Sequence, residues 1–291
     1  MKQIAGVRDA SRKHWVGNGF YVSTMISYNH QHALFDPFLL LDYNEPYHFE
    51  AGRARGVGEH PHRGFETVTI VYQGEVAHRD SHGGGGVIGA GDVQWMSAGS
   101  GVMHQEFHSE TFAKRGGVFE AVQLWVNLPK AHKMMPPKYQ AIQAKDIPVV
   151  ELKADSGVVR VIAGQLEGVA GVAHTFSPIN MWDVRMHADK NYVFGVPESH
   201  NLVILVLEGN VCIGERTITA GHLVSFQEGG ADVEIRARSV AKLLFLSGVP
   251  LKESVVGYGP FVMNTQEEIQ QAIYDLESGQ FGRIAGSEST L

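Results

Sequence analysis

Short segments with alternating or continuous apolar residues run through most of this chain, each long enough for one β-strand. The clearest are GFYVSTMISY, ETVTIVYQGEV, GDVQWMSAG, VQLWVNLP, GVVRVIAGQLEG, NLVILVLEGNVCIG, LVSFQEG and AKLLFLSG. Clusters of Gly, Asn, Asp or Ser separate them, as expected for turns. Long stretches with the 3.6-residue period of a helix are rare. The pattern predicts an all-β fold with few short helices.

One helix is predicted near the C-terminus, from about Gln266 to Leu276. Thr265 fits the N-cap, and Glu268 at the third helical position completes a capping box. The apolar side chains then recur on one face, which predicts that the helix packs against a sheet. These apolar residues are Ile269, Ala272, Ile273 and Leu276.

A weak internal repeat indicates two domains. TVTIVYQGEV followed by GAGDVQWMSAG is echoed by LVILVLEGNV followed by TAGHLVSFQEGG. In each copy an apolar strand enters a glycine turn, and an AG turn opens a later strand. We therefore predict two tandem β-domains of related topology, residues 1–135 and residues 136–291. The join falls in KAHKMMPPKYQ, where two consecutive prolines interrupt regular structure.

Composition and charge narrow the class of protein. The formal net charge is −7 and no run of lysine or arginine occurs, which argues against direct nucleic-acid binding. The single cysteine, Cys212, excludes an intrachain disulfide and fits a small apolar filler in a strand. The N-terminus shows no secretory signal, and the apolar runs are too short to span a bilayer. We predict a cytoplasmic protein without membrane binding.

Candidate chemistry lies in two pairs of residues spaced i and i+2, which point to the same face of a strand. The pairs are His60 with His62 in GEHPHRG and His104 with Glu106 in GVMHQEF. Each pair alone is a weak indication, because the chain has 15 histidines and chance pairs are expected. Both pairs adjoin a glycine-rich turn in the same predicted domain. Three imidazoles and one carboxylate suit a first-row transition metal; zinc is an alternative, but an iron(II) centre with open positions is favoured.

The long segment HPHRGFETVTIVYQGEVAHRDSHGGGGVIGAGDVQWMSAGSGVMHQEF resembles the signature of the pirin family, within the cupin superfamily. FDPFLLLDY, QLWVNLP, PPKYQ and GYGPFVMNTQEEI are also similar to stretches of that family. The resemblance implies two cupin (jelly-roll) barrels, residues 1–135 with a metal site and residues 136–291 without one. It also implies that His60, His62, His104 and Glu106 bind one iron ion per chain, expected as iron(II). Nickel, manganese, copper or zinc are alternatives, because the order of metal affinities does not match metal availability.

Positions around this motif complete the prediction. By the same resemblance, Glu66 is a supporting residue and not a ligand. When Gly209 is aligned with Gly74, Gly195 and Pro197 stand where the second domain would need its histidines, so a metal site is expected in the first domain alone.

The resemblance implies two functions from different classes. The first is a quercetin 2,3-dioxygenase-type oxidoreductase that cleaves a flavonol or related enolic phenol, with Glu106 as the catalytic base. The alternative is a non-catalytic, redox-sensing metal protein that binds a transcription factor or a metabolic enzyme. The expected partner is therefore a small phenolic substrate or a protein.

Several other side chains are given simple structural interpretations. His78 and His82 are expected in a solvated loop, and His108 near the mouth of the site. Asp36 and Asp42 are expected in turns that flank PFLLL. Aromatic residues of the first domain are expected either to line the cavity or to fill the core; these are Phe65, Trp95 and Trp125.

Overall fold

The computed structural model of the chain describes residues 1–10, 12–29 and 32–285. The chain divides into two compact units, each formed from three separate segments. The unit called the N-terminal barrel below contains Arg12–Tyr28, Phe38–Ala144 and Glu253–Leu291. The unit called the C-terminal barrel contains Met1–Ser11, Asn29–Pro37 and Lys145–Lys252.

The N-terminal barrel consists of two antiparallel sheets that share a core. In spatial order, the larger sheet contains Lys138–Ile142, Val93–Ser97, Phe65–Gln73, Gly117–Asn127, Phe38–Phe49, Phe20–Ser27 and His14–Val16. The smaller sheet contains Gly56–His62, Val102–His108, Val76–Asp80 and Gly85–Ile88. Val71 and Phe119 from the larger sheet pack with Val76 and Ile88 from the smaller one. This sheet-on-sheet packing is the jelly-roll arrangement.

The C-terminal barrel repeats the same plan. Its larger sheet contains Ile4–Asp9, His222–Phe226, Asn201–Glu208, Ala241–Gly248, Ile179–Met186, Gly157–Ala163 and Val149–Leu152. Its smaller sheet contains Asn191–Gly195, Asp232–Ala237, Asn210–Ile213 and Arg216–Thr219. Cys212 lies in a strand as predicted, but it is half-buried and its Sγ accepts a hydrogen bond from Arg238 Nε at 3.1 Å. It is therefore not a simple apolar filler.

Hairpins and helices complete the chain. The hairpins pair Gln165–Leu166 with Val169–Ala170 and Val256–Tyr258 with Phe261–Met263. Among the described residues, the α-helices are α1 (His32–Phe35), α2 (Glu110–Arg115) and α3 (Gln266–Glu277). Turns of 3₁₀ helix occupy Lys130–His132, Ala144–Asp146 and Lys153–Asp155. No helix in the described part of the chain is long and apolar enough to cross a membrane. The cytoplasmic location stays a prediction.

The predicted fold class is confirmed. All eight segments identified by apolar pattern contain a strand, because their alternating or continuous apolar residues fill the cores of the two barrels. The strand that follows Asp36, Phe38–Phe49, is not among the predicted strands. It continues through the sequence DYNE to Phe49, and the buried Asp42 lies in it, so the turn predicted at Asp42 is wrong.

The terminal segments lie in different units from those implied by continuous domains of residues 1–135 and 136–291. Strand Ile4–Asp9 pairs with His222–Phe226 in the C-terminal barrel. The segment after Glu253, with α3, belongs to the N-terminal barrel. An apolar pattern predicts that a strand forms, but not which sheet edge it joins, since every edge offers the same backbone donors and acceptors.

Helix α3 begins with the predicted capping box. Thr265 Oγ1 accepts a hydrogen bond from the backbone N–H of Glu268 at 3.2 Å, and Glu268 Oε2 accepts one from the backbone N–H of Thr265 at 3.1 Å. The apolar face is also as predicted, with Ile269 and Ala272 fully buried. This face packs with Phe261 of the preceding hairpin, so the helix is anchored within the N-terminal barrel.

Candidate metal centre

Neighbouring strands of the smaller sheet in the N-terminal barrel each present two side chains to the barrel interior. The pairs are His60 with His62, His104 with Glu106, and His78 with Asp80. Strand register places His104 directly between His60 and Asp80, and places Glu106 opposite His78. The predicted residues are thus on adjacent strands, and a third pair with the same i, i+2 spacing joins them.

The imidazoles of His60, His62 and His104 converge. Their ring centroids are 4.1 Å apart for His60 and His104, 4.8 Å for His62 and His104, and 4.9 Å for His60 and His62. Each offers a nitrogen within 4.8 Å of the others. Glu106 has the same relation to His104 and His78, so the two groups share His104. No other group of this kind occurs among the described residues, in either barrel. The expectation that the C-terminal barrel binds no metal stays a prediction.

Hydrogen bonds indicate which ring nitrogen carries the proton in His78 and in His104. Asp80 Oδ2 lies 3.3 Å from His78 Nε2, and a carboxylate requires a donor there, so Nδ1 of His78 must be an acceptor. Gln94 Nε2, whose donor character is fixed by Glu106, lies 3.2 Å from that Nδ1 and supports the assignment. His104 Nδ1, at 3.4 Å, therefore carries a proton toward His78. The series of hydrogen bonds from His104 through His78 to Asp80 thus leaves the lone pair of His104 on Nε2.

The buried Nε2 atom of His104 has no hydrogen-bond partner among the described residues. A buried polar atom without a partner costs roughly 1–3 kcal/mol, so its presence calls for a ligand. His60 Nδ1 donates to the carbonyl oxygen of Gly58 at 2.8 Å, and His62 Nδ1 lies 3.4 Å from that of Pro260. With the proton on Nδ1, each of these two rings has its lone pair on Nε2. This donor set fits a transition-metal ion.

Burial and mutual repulsion keep the imidazoles of His62 and His104 uncharged. Burial, followed by repulsion from the neighbouring imidazoles, holds the pKa of His104 well below its ordinary value. Burial and His60 do the same to the pKa of His62, against a smaller opposing effect of the Pro260 carbonyl. At neutral pH both rings are therefore neutral, which is the form that binds a metal ion.

Glu106 is held by side chains that sequence reasoning missed. Gln94 Nε2 donates to Oε1 at 2.9 Å, Gln123 Nε2 donates to Oε2 at 2.8 Å, and Thr69 Oγ1 lies 3.4 Å from Oε1. All three lie on the larger sheet, opposite the strand that carries Glu106. The signal in the sequence was a polar residue in the middle of an apolar strand, as in VQW and VQL.

The structure corrects several single-residue predictions. His78 is 1% exposed and belongs to the site, so the solvated loop predicted for it is wrong; His82 is exposed at the turn. His108 is buried among phenylalanine rings and donates through Nε2 to the Gly19 carbonyl at 2.9 Å, away from the imidazole cluster. Its adjacency to Glu106 in sequence placed it near the mouth, but its side chain packs into the core.

Other predicted neighbours divide between the two faces of the larger sheet. Phe65 and Trp125 stack at 4.2 Å beside His62. Glu66 alternates with Phe65, so it points to the other face, where its carboxylate accepts a hydrogen bond from Ser97 Oγ at 2.6 Å. Burial raises the pKa of Glu66 to about 7. Trp95 alternates with Gln94 and also points away from the site, so it does not line the cavity.

The C-terminal segment supports the strand that carries His60 and His62. Arg63 Nη2 forms a buried ion pair with Asp275 Oδ2 of α3 at 2.8 Å, and Arg63 Nε donates to the carbonyl of Ser100. The buried Lys133 Nζ donates to the carbonyls of Gly64 and Val262 at 2.7 and 3.0 Å. Together with the Pro260 carbonyl beside His62, these contacts hold the end of strand Gly56–His62 from outside the sheet.

A cavity of about 40 Å³ adjoins the candidate ligands. The smaller sheet contributes His60 and Glu106 to its lining, and the larger sheet contributes Gln123, Asp42 and Asn44. A cavity needs roughly 10–15 Å³ to hold one water molecule, so this one has room for a few water molecules.

Two jelly-roll barrels with one His/Glu cluster define the class of the protein: a two-domain cupin with a candidate metal centre. A family model described as Pirin matches residues 19–126, and one described as Pirin C-terminal cupin domain matches residues 181–282. The chain belongs to the pirin family.

Similar proteins cover nearly the whole chain. A Pseudomonas aeruginosa protein named "Putative quercetin 2,3-dioxygenase" is 49% identical over 97% of this chain and 99% of its own. Pirin-like protein 2 of Arabidopsis thaliana is 40% identical over 91% and 81%. A crystal structure described as quercetin 2,3-dioxygenase from Acinetobacter baumannii has a TM-score of 0.94 and 50% identity, over 97% and 99%.

Replacing Asp80 by asparagine is expected to weaken metal binding about 10- to 100-fold, the usual effect of losing a residue that orients a ligand. The asparagine amide can donate to His78 Nε2, which allows the proton of His78 to move to Nδ1. His78 Nδ1 is then no longer a fixed acceptor for the proton on His104 Nδ1. Competition with a chromophoric chelator measures the affinity. The matched control is Asp92→Asn, a turn carboxylate of the same barrel that receives backbone N–H groups of Gly89 and Ala144. Equal affinities in Asp80→Asn and wild type would contradict the assignment.

Proposed function

We propose that this protein is a metal-dependent dioxygenase that opens the heterocycle of a flavonol or related enolic phenol, as a quercetin 2,3-dioxygenase does. The observation that supports this most is the convergence of the imidazoles of His60, His62 and His104, with the buried carboxylate of Glu106 close to His104. Relatives with the quercetin 2,3-dioxygenase name, similar over nearly the full chain, support the same reaction class.

Four residues would hold the ion: His60, His62, His104 and Glu106. We propose iron(II), with nickel, manganese, copper or zinc as alternatives, because this mixed nitrogen and oxygen set accepts all of them. When bound, the ion supplies Lewis-acid and redox chemistry for the reaction of the phenol with dioxygen. The overall reaction consumes one flavonol and one dioxygen and yields a depside and carbon monoxide.

The protein's own contribution begins with Glu106. Its carboxylate would take the proton of the flavonol 3-hydroxyl, as a general base must do from hydrogen-bond distance. Gln94 and Gln123 hold the two carboxylate oxygens, so the base is already oriented before the substrate arrives. Phe20 and Val57, which line the same cavity, limit the access of water.

The cavity must become larger before a flavonol can enter it. Sites for such ligands usually enclose roughly 300–1,000 Å³, whereas this cavity measures about 40 Å³. Strand His14–Val16, which contributes Val16 to the lining, lies at the edge of its sheet. The following turn contacts Gly56 through Asn18, with hydrogen bonds of 3.1 and 2.8 Å. We expect this hairpin to move when substrate enters.

The experiment is to incubate iron-loaded protein with quercetin in air and to follow the loss of the visible quercetin absorbance, with carbon monoxide as the second product. Glu106→Gln is expected to abolish turnover. Glu110→Gln, on the solvent side of α2, should leave it unchanged. Absence of turnover with every candidate metal ion would refute the enzymatic function.

The small cavity favours a second candidate function, a redox-sensing regulatory protein. A space of about 40 Å³ admits water or dioxygen, but a flavonol enters only after movement of the wall. The partner would then be a transcription factor or a metabolic enzyme. This function predicts that oxidation of the bound ion changes hydrogen exchange in residues 14–20 without any flavonol turnover. For both functions, the net charge of −7 argues against direct nucleic-acid binding.

A further inference from the structure

A row of polar side chains crosses the inner face of the larger sheet in the N-terminal barrel. Strand register places these residues side by side on successive strands. In spatial order they are Gln94, Thr69, Gln123, Asp42 and Thr24. A continuous polar row inside a barrel core is costly unless each member has a partner.

The first three members of the row have a clear partner. Gln94, Thr69 and Gln123 all contact Glu106. The fourth member, Asp42, has a different partner: Thr24 Oγ1 donates to Asp42 Oδ1 at 2.6 Å. The row therefore extends past the candidate ligands toward a second carboxylate.

Asp42 lines the same cavity as His60 and Glu106, although it lies on the opposite sheet. It is 8% exposed, and among the described residues Thr24 provides its one side-chain hydrogen bond. Burial raises the pKa of Asp42, against the smaller opposing effects of Thr24 and His14. A buried carboxylate accepts several hydrogen bonds when it is fully satisfied, so Asp42 has capacity for another donor from the cavity.

We propose that Asp42 is a specificity-determining acceptor that receives a hydrogen bond from a second hydroxyl of a polyhydroxylated phenolic ligand. This inference rests on the proposed function, because it requires the reacting hydroxyl of that ligand to lie at Glu106. The cavity then selects phenols that carry hydroxyls toward both sheets. Asn44, two residues along the same strand, also lines the cavity, and its amide can accept or donate a hydrogen bond beside Asp42.

The test measures ligand binding without turnover. Protein loaded with one metal ion is titrated with quercetin and with 3-hydroxyflavone under nitrogen, and binding is followed by the ligand absorbance. Quercetin carries additional hydroxyls, whereas 3-hydroxyflavone keeps only the one that reacts. Wild-type protein is expected to bind quercetin more tightly. Asp42→Asn should weaken quercetin binding about 10- to 100-fold and change 3-hydroxyflavone binding less than about twofold, as expected for the loss of a hydrogen bond to a charged group.

The matched control is Glu45→Gln, a carboxylate on the same strand that points to the other face and pairs with Lys13. It should leave both affinities unchanged. Equal loss for both ligands in Asp42→Asn would show a purely structural role and overturn the inference, as would no loss for either. If Asp42→Asn does not fold, equal wild-type affinities for the two ligands overturn it. Failure of metal-loaded wild type to bind any flavonol would refute the proposed function itself. The outcomes above overturn the role of Asp42 alone, so the two failures are distinguishable.

Discussion

Replacing His104 by leucine is expected to abolish metal retention while leaving the metal-free protein as stable as wild type, within about 1 kcal/mol. Leucine has a similar volume and removes the buried Nε2 atom that has no partner in the described structure. The cost of that unsatisfied atom, roughly 1–3 kcal/mol, offsets the lost hydrogen bond to His78. The rise in melting temperature on adding metal should disappear, since only a folded protein with the site intact gains binding energy.

Elemental analysis and thermal unfolding with and without metal check this expectation. His82→Leu is the matched control, because His82 lies in the exposed turn after the strand that carries His78. It should retain the ion and the thermal shift. His104 belongs to both candidate groups, the one with His60 and His62 and the one with His78 and Glu106. A His104→Leu protein that still holds one ion per chain would therefore show that neither group is the metal site.

Replacing Asp275 by alanine is expected to lower the free energy of unfolding by about 3–5 kcal/mol, the usual effect of leaving one partner of a buried ion pair alone. Arg63 would lose its carboxylate while its guanidinium stays buried, with a side chain only 4% exposed. Helix α3 would also lose this ion pair to the residue that follows strand Gly56–His62. We therefore expect weaker metal binding in addition to lower stability.

Urea unfolding followed by tryptophan fluorescence measures the stability. Glu277→Gln, an exposed carboxylate on the same helix, should change it by less than about 0.5 kcal/mol. The double variant Arg63→Met with Asp275→Leu should recover most of the stability, because two apolar side chains leave no unpaired charge. A single Asp275→Ala variant as stable as wild type would show that the ion pair contributes nothing.

The two residue pairs of the candidate metal centre could be predicted because their spacing is local. Residues at i and i+2 share a face of a strand, so His60, His62, His104 and Glu106 could be grouped from the chain alone. The same rule applied to His78 and Asp80 would have found the third pair. It was missed because the glycines that follow indicated a loop, while the strand extends to Asp80.

The residues that hold Glu106 could not be predicted in the same way. Gln94, Gln123 and Thr69 come from three strands that are distant in sequence, and only their register brings them together. Neutral amides also carry no spacing signature of their own. Asp42 was misplaced for a related reason: a polar residue after an apolar run indicates a turn, unless a cross-strand partner such as Thr24 allows it to be buried.

The ion pair between Arg63 and Asp275 joins residues that are 212 positions apart. During translation, the histidine strand therefore leaves the ribosome long before the helix that braces it. A nascent chain would therefore display these imidazoles without that brace until α3 has been synthesised and has folded against it.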